Sequence, residues 1–284
     1  MRKNPMLAIF TTVFIDLLGF GILIPVFPLL ITDGPFRVTP DGWSFTQGMI
    51  MLGWLQAIYP FCMFIAAPIL GQLSDRHGRR PVLALSIFGT AIGYVLFAIG
   101  ISTGNLPLLF AARGLDGMTG GNLAVAQAAI GDISTHENRA KNFGYMGAAF
   151  GMGFIVGPYL GGKLSSPSVS FYGLFDTPHW FGATTPFWFA AILALLNCTA
   201  VLTTFPETIK EKFHGGKIRV GQSLNNVVNG FKSDRLRVIL ISSFLFSAGF
   251  TFFTTFFGVY LRNKFSFSSS KIGDYFAIVG LCIA

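Results

Sequence analysis

The chain has 284 residues, of which 52% are hydrophobic and only 11% charged, with a formal net charge of +8 and a mean hydropathy of +0.62. Soluble domains carry charge at about a quarter of their positions, so this chain cannot cover a water-facing surface of its own size, which excludes a soluble globular domain. The 34 glycines and 32 phenylalanines suit helices packed closely in lipid, where small residues let backbones approach.

A membrane crossing needs about 20 mostly apolar residues. Seven stretches meet that demand, at 7–31, 47–70, 81–101, 107–131, 142–164, 185–205 and 236–261. An eighth begins near Ile272 and is still apolar at Ala284, so it reads as a span cut short. The first run is too long for a cleavable leader and lacks a small-residue cleavage site, so it is expected to remain as the first span. With the N-terminus in the cytoplasm, 14 Lys and Arg residues fall on the cytoplasmic side and 5 on the other, with Arg113 inside a span. That bias orients the chain and accounts for the positive charge without a nucleic-acid partner.

The longest polar segment, 206–234, holds Pro206, Glu207, Gly215, Gly216 and many of the basic residues. It predicts three parts: a six-span bundle at 1–205, a cytoplasmic linker at 206–234 and a partial second bundle at 235–284. The spacing of Phe14, Gly19 and Phe20 recurs at Phe244, Gly249 and Phe250, as two halves related by a parallel repeat would produce. Cys62, Cys198 and Cys282 lie in apolar runs without metal or redox spacing and read as small buried hydrophobes. The four histidines fall in loops or near span ends and form no metal spacing. HExxH, GxSxG, GxxxxGK[ST] and CxxC are all missing, which argues against an enzyme.

Between the second and third spans the chain reads Gly71-Gln72-Leu73-Ser74-Asp75-Arg76-His77-Gly78-Arg79-Arg80-Pro81. Gly71 and Gly78 permit a tight reversal. Asp75 is suited to capping a helix or pairing with a guanidinium. Arg79 and Arg80 anchor the cytoplasmic face, and Pro81 suits a first helical turn. An ordinary basic loop would also join the spans, but it would not require this order.

Asp16 lies about ten residues into the first span, hence about 15 Å deep. A carboxylate there costs about 2.5–3.5 kcal/mol to insert, so it is expected to face an aqueous cavity and exchange a proton, or else to sit in a fixed ion pair. Gly19, Gly21, Pro25 and Pro28 describe a bent helix lining a cavity. Arg113 and Asp116 in the fourth span are three residues apart and share a face. Either they neutralise each other, or Arg113 acts on Asp16. Asn122 and Gln127 are polar and mid-span, placed to bind a substrate or to bond across helices. In the fifth span Gly147, Gly151, Gly153 and Gly157 recur at steps expected to build one close-packing face, and Pro158 removes a backbone hydrogen bond. Tyr59, Phe61, Tyr94, Phe150, Trp188 and Phe246 could line an apolar pocket or face lipid, so none is taken as a site residue.

The segment from Gly71 to Pro81 resembles the signature loop of the major facilitator superfamily. The likeness continues through Arg113-Gly114-Leu115-Asp116-Gly117-Met118-Thr119-Gly120-Gly121-Asn122, Gly131-Asp132-Ile133-Ser134 and Asn138-Arg139-Ala140-Lys141. The fifth-span pattern Gly147, Gly151, Gly153, Gly157-Pro158 and Gly161-Gly162 resembles the antiporter motif of drug/proton antiporters. Phe205-Pro206-Glu207-Thr208 resembles the end of their sixth span. The resemblance covers nearly the whole chain and is nearest to tetracycline-efflux and multidrug exporters.

It implies an all-α polytopic fold with an N-terminal six-helix bundle and the start of a C-terminal one, in a bacterial inner membrane. It also implies proton-driven export of a small lipophilic molecule, with no cofactor beyond the proton gradient. Asp16 and Arg113 match functional acidic and basic positions of the tetracycline exporters. Asp75, Arg79 and Asp132, with Gly71, Arg76, Gly78 and Arg80 around them, would gate the inward mouth. The chain departs from that pattern in reading Gly93-Tyr94 where those exporters carry a third-span aspartate, and in adding Asp116. Two other readings stay open. One is a proton symporter or facilitator importing a sugar or organic acid. The other is a truncated, non-transporting membrane protein, with the remaining helices or a partner chain needed for activity.

Overall fold

With no water in the bilayer to serve the backbone, a long apolar run satisfies its own amides only as a helix. The computed structural model describes residues 5–32, 34–171, 175–209 and 228–283, and most of these are helical. The helices are α1 (Pro5–Ile31), α2 (Phe45–His77), α3 (Arg79–Ser102), α4 (Leu106–Thr119), α5 (Asn122–Ile133), α6 (Arg139–Leu164), α7 (Thr185–Thr204), α8 (Asp234–Phe265) and α9 (Ser269–Ile283). Between α6 and α7 a small antiparallel hairpin pairs β1 (Ser170–Phe171) with β2 (Phe175–Asp176). Among the described residues α1, α2, α3, α6, α7 and α8 are each long and apolar enough to cross a membrane. Most of the expected linker, 210–227, lies outside the described residues.

The helices run alternately away from and back to the side holding the start of α1, here called proximal, with the opposite side distal; α4 and α5 follow one another in the same direction as a single return. Local chemistry sets the ends. Ser44 caps α2 by accepting from the Gln47 amide at 3.3 Å, while the Gln47 side chain accepts from the Ser44 amide at 2.8 Å, a reciprocal capping box. Asn105 caps α4 by accepting from the Leu108 amide at 3.0 Å.

Three expectations need correction. The fourth span is not one helix. α4 ends at Thr119 and α5 begins at Asn122, with a turn at Gly120-Gly121. Glycine is a poor helix former, and here the pair meets α2 closely: a methyl added at Gly121 would sit 2.6 Å from Leu70 Cδ1 and 3.1 Å from Ala67 Cα. The join of α2 to α3 is also not an extended loop. Gly71 lies inside α2, which continues to His77, and the whole reversal falls on Gly78 at φ +109°. That conformation is open to glycine and strained for other residues. The cysteines differ from expectation too: Cys198 is buried, but Cys62 is half-buried and Cys282 exposed.

α1 and α3 are the most buried of the long helices. Ile22, Leu30, Leu52, Leu55, Leu83 and Leu109 are fully enclosed in the core between them and their neighbours. α8 approaches α1 through its distal half, where Gly258 faces the Ile24 carbonyl and Arg262 Nε donates to Thr32 Oγ1 at 2.8 Å. From Leu236 to Gly249 it is exposed apart from the half-buried Leu240.

Candidate functional site

Three clusters of polar residues lie at three depths. The mid-span cluster is built by α1, α2 and α4. Arg113 and Asp116 are one turn apart on α4, both buried, and join through Arg113 Nη1 and Asp116 Oδ2 at 3.0 Å. Arg113 Nη2 donates to Gln56 Oε1 at 3.3 Å, and the guanidinium lies 4.5 Å above the Tyr59 ring. Gln56 and Tyr59 come from one face of α2, three positions apart, so a single helix supplies the amide and the ring. Such pairing offsets the cost of burying a charge. Asp116 also packs against Gly93, where an added methyl would lie 3.1 Å from its Cβ.

Asp16 stands in the middle of α1, half-buried, and makes no ion pair among the described residues. The structure therefore joins Arg113 to Asp116 and not to Asp16. Gly19, one turn on, leaves room for the Tyr94 hydroxyl. Asn122, the first residue of α5, is 1% exposed, and neither of its amide atoms has a hydrogen-bond partner among the described residues. Gln127 is on the exposed face of α5. Five residues turn a helix by about 140° beyond one full turn, so it shares no face with Asn122.

The proximal cluster surrounds Arg79. Its side chain meets Asp75 Oδ1 at 2.7 Å, Ser74 Oγ at 2.6 Å and Asp132 Oδ2 at 2.9 Å, tying α2, α3 and α5 together. Asp75 pairs with the guanidinium and caps nothing. The N-terminus of α3 is instead served by Glu207, just beyond α7, which accepts from the amides of Arg79 at 2.8 Å and Arg80 at 3.3 Å. A carboxylate is favoured there by the positive end of the helix. A side chain at Gly78 would collide with Glu207, and Thr208 Oγ1 donates to Asp132 at 3.1 Å. Arg76 stands in the last turn of α2.

The fifth-span glycines do not form one face. Gly153, Gly157 and Gly161 press on α1: an added methyl at Gly157 would lie 2.8 Å from the Leu18 carbonyl oxygen and 2.9 Å from Gly21 Cα. Gly162 faces α9, 2.9 Å from Gly273 Cα on the same construction. Gly147 and Gly151 line a cavity of about 360 Å³ with Phe150, Phe154, Pro158, Phe246, Phe250 and Phe276. The physical reason is angular, since a two-residue step from Gly151 to Gly153 swings about 200° around the helix. Pro158 sits within the continuous α6. Of the aromatics considered from sequence, Phe150 and Phe246 line this cavity, while Phe61 and Trp188 are exposed.

A third, distal cluster joins α6 to α9. Lys163, 8% exposed, donates to Ser270 Oγ at 2.9 Å and pairs with Asp274 Oδ2 at 3.0 Å. Sequence reasoning missed it, together with the parts played by Gln56 and Glu207. The signal for Gln56 is present in the sequence as a polar residue in an apolar span.

Tetracycline resistance protein, class B, of Escherichia coli is 32% identical over 284 residues, covering 99% of this chain and 64% of that protein. Tetracycline resistance protein, class H, of Pasteurella multocida is 30% identical over 282 residues, with the same shares of 99% and 64%. Multidrug resistance protein 1 of Bacillus subtilis (strain 168) is 29% identical over 280 residues, covering 95% of this chain and 62% of that protein. The chain thus spans less than two thirds of the length of each. The crystal structure of the human organic anion transporter MFSD10 superposes with a TM-score of 0.69 at 23% identity, over 98% of this chain and 69% of that one, a likeness of fold. The family model for the Major Facilitator Superfamily matches residues 9–284, and the chain belongs to that superfamily.

Proposed function

We propose that the protein is a proton-coupled antiporter that exports a small lipophilic, drug-like molecule by alternating access. The observation that carries this reading is the mid-span group of Asp16, Arg113 and Asp116 on helices α1 and α4. Ionisable groups at that depth are costly and are characteristic of ion and substrate pathways. The kinship with tetracycline and multidrug resistance proteins supports export. The phenylalanine-lined cavity beside Gly147 and Gly151 supports a lipophilic cargo, because aromatic rings offer large apolar contact.

In this reading Asp16 carries the proton, and the Arg113–Asp116 pair sets the field around it. Asp75, Arg79 and Asp132 close the proximal mouth. Residues 1–205 rock as one bundle against the unit begun by 235–284, with 206–234 as the linker. The 14-to-5 bias of basic residues puts the proximal side and the N-terminus in the cytoplasm, across a bacterial inner membrane.

The test uses the full-length protein in inside-out vesicles with an acidified lumen. Adding a transported drug is expected to release lumenal protons, read by a pH-sensitive dye, and Asp16→Asn is expected to abolish the release. Drug uptake that survives a protonophore, or an Asp16→Asn variant with full proton release, would sink the reading.

A further inference from the structure

We infer that the outward side of the α6–α9 seam binds a phospholipid of the distal leaflet, with an ethanolamine headgroup held between Lys163 and Asp274. The site lies apart from the mid-span cluster, and the inference depends neither on export nor on Asp16.

The first observation is a cleft of about 550 Å³ between the two helices. Ile155, Tyr159 and Lys163 line it from α6; spaced four residues apart, they form one stripe about 12 Å long. Asp274, Ile278 and Leu281 line it from α9, again on one face. The helices touch closely: a methyl added at Gly162 would lie 2.9 Å from Gly273 Cα, and one added at Gly280 would lie 3.0 Å from Ile155 Cγ1. That contact divides the cleft from the phenylalanine-lined cavity, which Phe154 and Phe276 border on the other side. Ile278 and Leu281 are 63% and 69% exposed, and in a bilayer that exposure is to acyl chains.

The second observation is the order of polarity along the cleft. α6 runs toward the distal side and α9 away from it, so Lys163 and Asp274 stand at the distal end. Ile155, Ile278 and Leu281 lie deeper in the membrane. A phospholipid of the distal leaflet has the same order, a charged head at the face and apolar tails beneath. A soluble ion would use the polar end alone and leave the apolar stripe unexplained.

The third observation is the charge. Ser270 Oγ at 2.9 Å and Asp274 Oδ2 at 3.0 Å take two of the three donors of the buried Lys163 ammonium, which leaves one for a phosphate oxygen. The Asp274 side chain is 42% exposed, so its carboxylate is open to a second cation. Together the two residues carry no net charge, which suits a zwitterionic headgroup and disfavours an anionic one beside the carboxylate. A primary ammonium donates a charge-assisted hydrogen bond to Asp274, whereas a quaternary choline has no N–H to give. Ethanolamine fits both ends: its phosphate accepts from Lys163 and its ammonium donates to Asp274. A lipid held this way bridges α6 and α9 and favours the arrangement in which their distal seam is closed.

The experiment is native mass spectrometry of the full-length protein, stripped of lipid in detergent. It is offered equal amounts of phosphatidylethanolamine, phosphatidylcholine and phosphatidylglycerol with identical acyl chains. Phosphatidylethanolamine is expected to be retained preferentially, and Asp274→Asn to cut that preference about tenfold, the loss of one charge-assisted hydrogen bond. Equal retention of the three lipids, a preference for phosphatidylglycerol, or an unchanged preference in Asp274→Asn overturns the proposal. Should Asp274→Asn fail to fold, Ile278→Trp decides the matter, because it fills the cleft from its apolar end and leaves the ion pair intact. A phosphatidylethanolamine with a photoreactive diazirine in its acyl chain is expected to label the peptides holding Ile155 and Ile278, and Ile278→Trp to lose the Ile155 label. Labelling spread evenly over the lipid-facing helices, or an Ile155 label unchanged in Ile278→Trp, overturns it.

Discussion

Arg113 works through geometry as much as through charge. One nitrogen serves Asp116, another serves Gln56, and the flat face lies on Tyr59. A lysine has a compact ammonium in place of the planar fork, so Arg113→Lys is expected to lose at least tenfold in initial transport rate despite keeping its charge. Near-normal transport by Arg113→Lys would show that charge alone matters. Removing the guanidinium leaves Asp116 buried and unpaired, a loss of about 3–5 kcal/mol. Arg113→Ala should therefore melt well below the parent protein. Adding Asp116→Asn should restore much of that loss, and thermal unfolding in detergent would read both. If the double variant is no more stable than Arg113→Ala, the pair is not what anchors Arg113.

At the level of helices, the glycines of α6 divide by what they face. Gly157 lies against the α1 backbone, whereas a methyl added at Gly147 would meet nothing within 4 Å. Gly157→Ala is expected to cost about 1–3 kcal/mol, as overpacking does, and Gly147→Ala to leave stability unchanged. Equal melting temperatures for the two would contradict this division. Sequence reading identified α1, α3 and α6 because long apolar runs between polar ends have few other solutions in a membrane. It did not see the break at Gly120-Gly121, because both flanks are apolar and glycine is common within membrane helices. For the same reason Gly71 read as part of a turn. Asp75, Arg79 and Asp132 were named from the family pattern. Glu207 was quoted without its partner because its contact with Arg79 spans 128 positions, a separation that no local pattern reveals.

The whole molecule is held differently at its two faces. Proximally, among the described residues, Arg79 and Glu207 bind helices of the first seven and the segment just beyond α7 to one another. Distally, Lys163–Asp274 and Arg262–Thr32 join those elements to α8 and α9. An alternating-access cycle has to open this distal seam. Reversing Lys163 to Asp, or Asp274 to Lys, sets like charges against each other and is expected to lower transport several-fold. The double swap should recover most of the rate. Unimpaired single reversals would show that the seam carries no weight in the cycle.

The one-residue joint at Gly78 gives this architecture mechanical advantage. α2 has 33 residues, a helix about 50 Å long, joined to α3 through a single residue beside Arg79. A rotation of about five degrees at that pivot sweeps the far tip through about 4 Å, on the length of a helix of this size. Glu207 grips the neighbouring rod within one residue of the fulcrum. A displacement too small to break a hydrogen bond at the proximal face would become, at the distal face, a movement about the width of a methyl group.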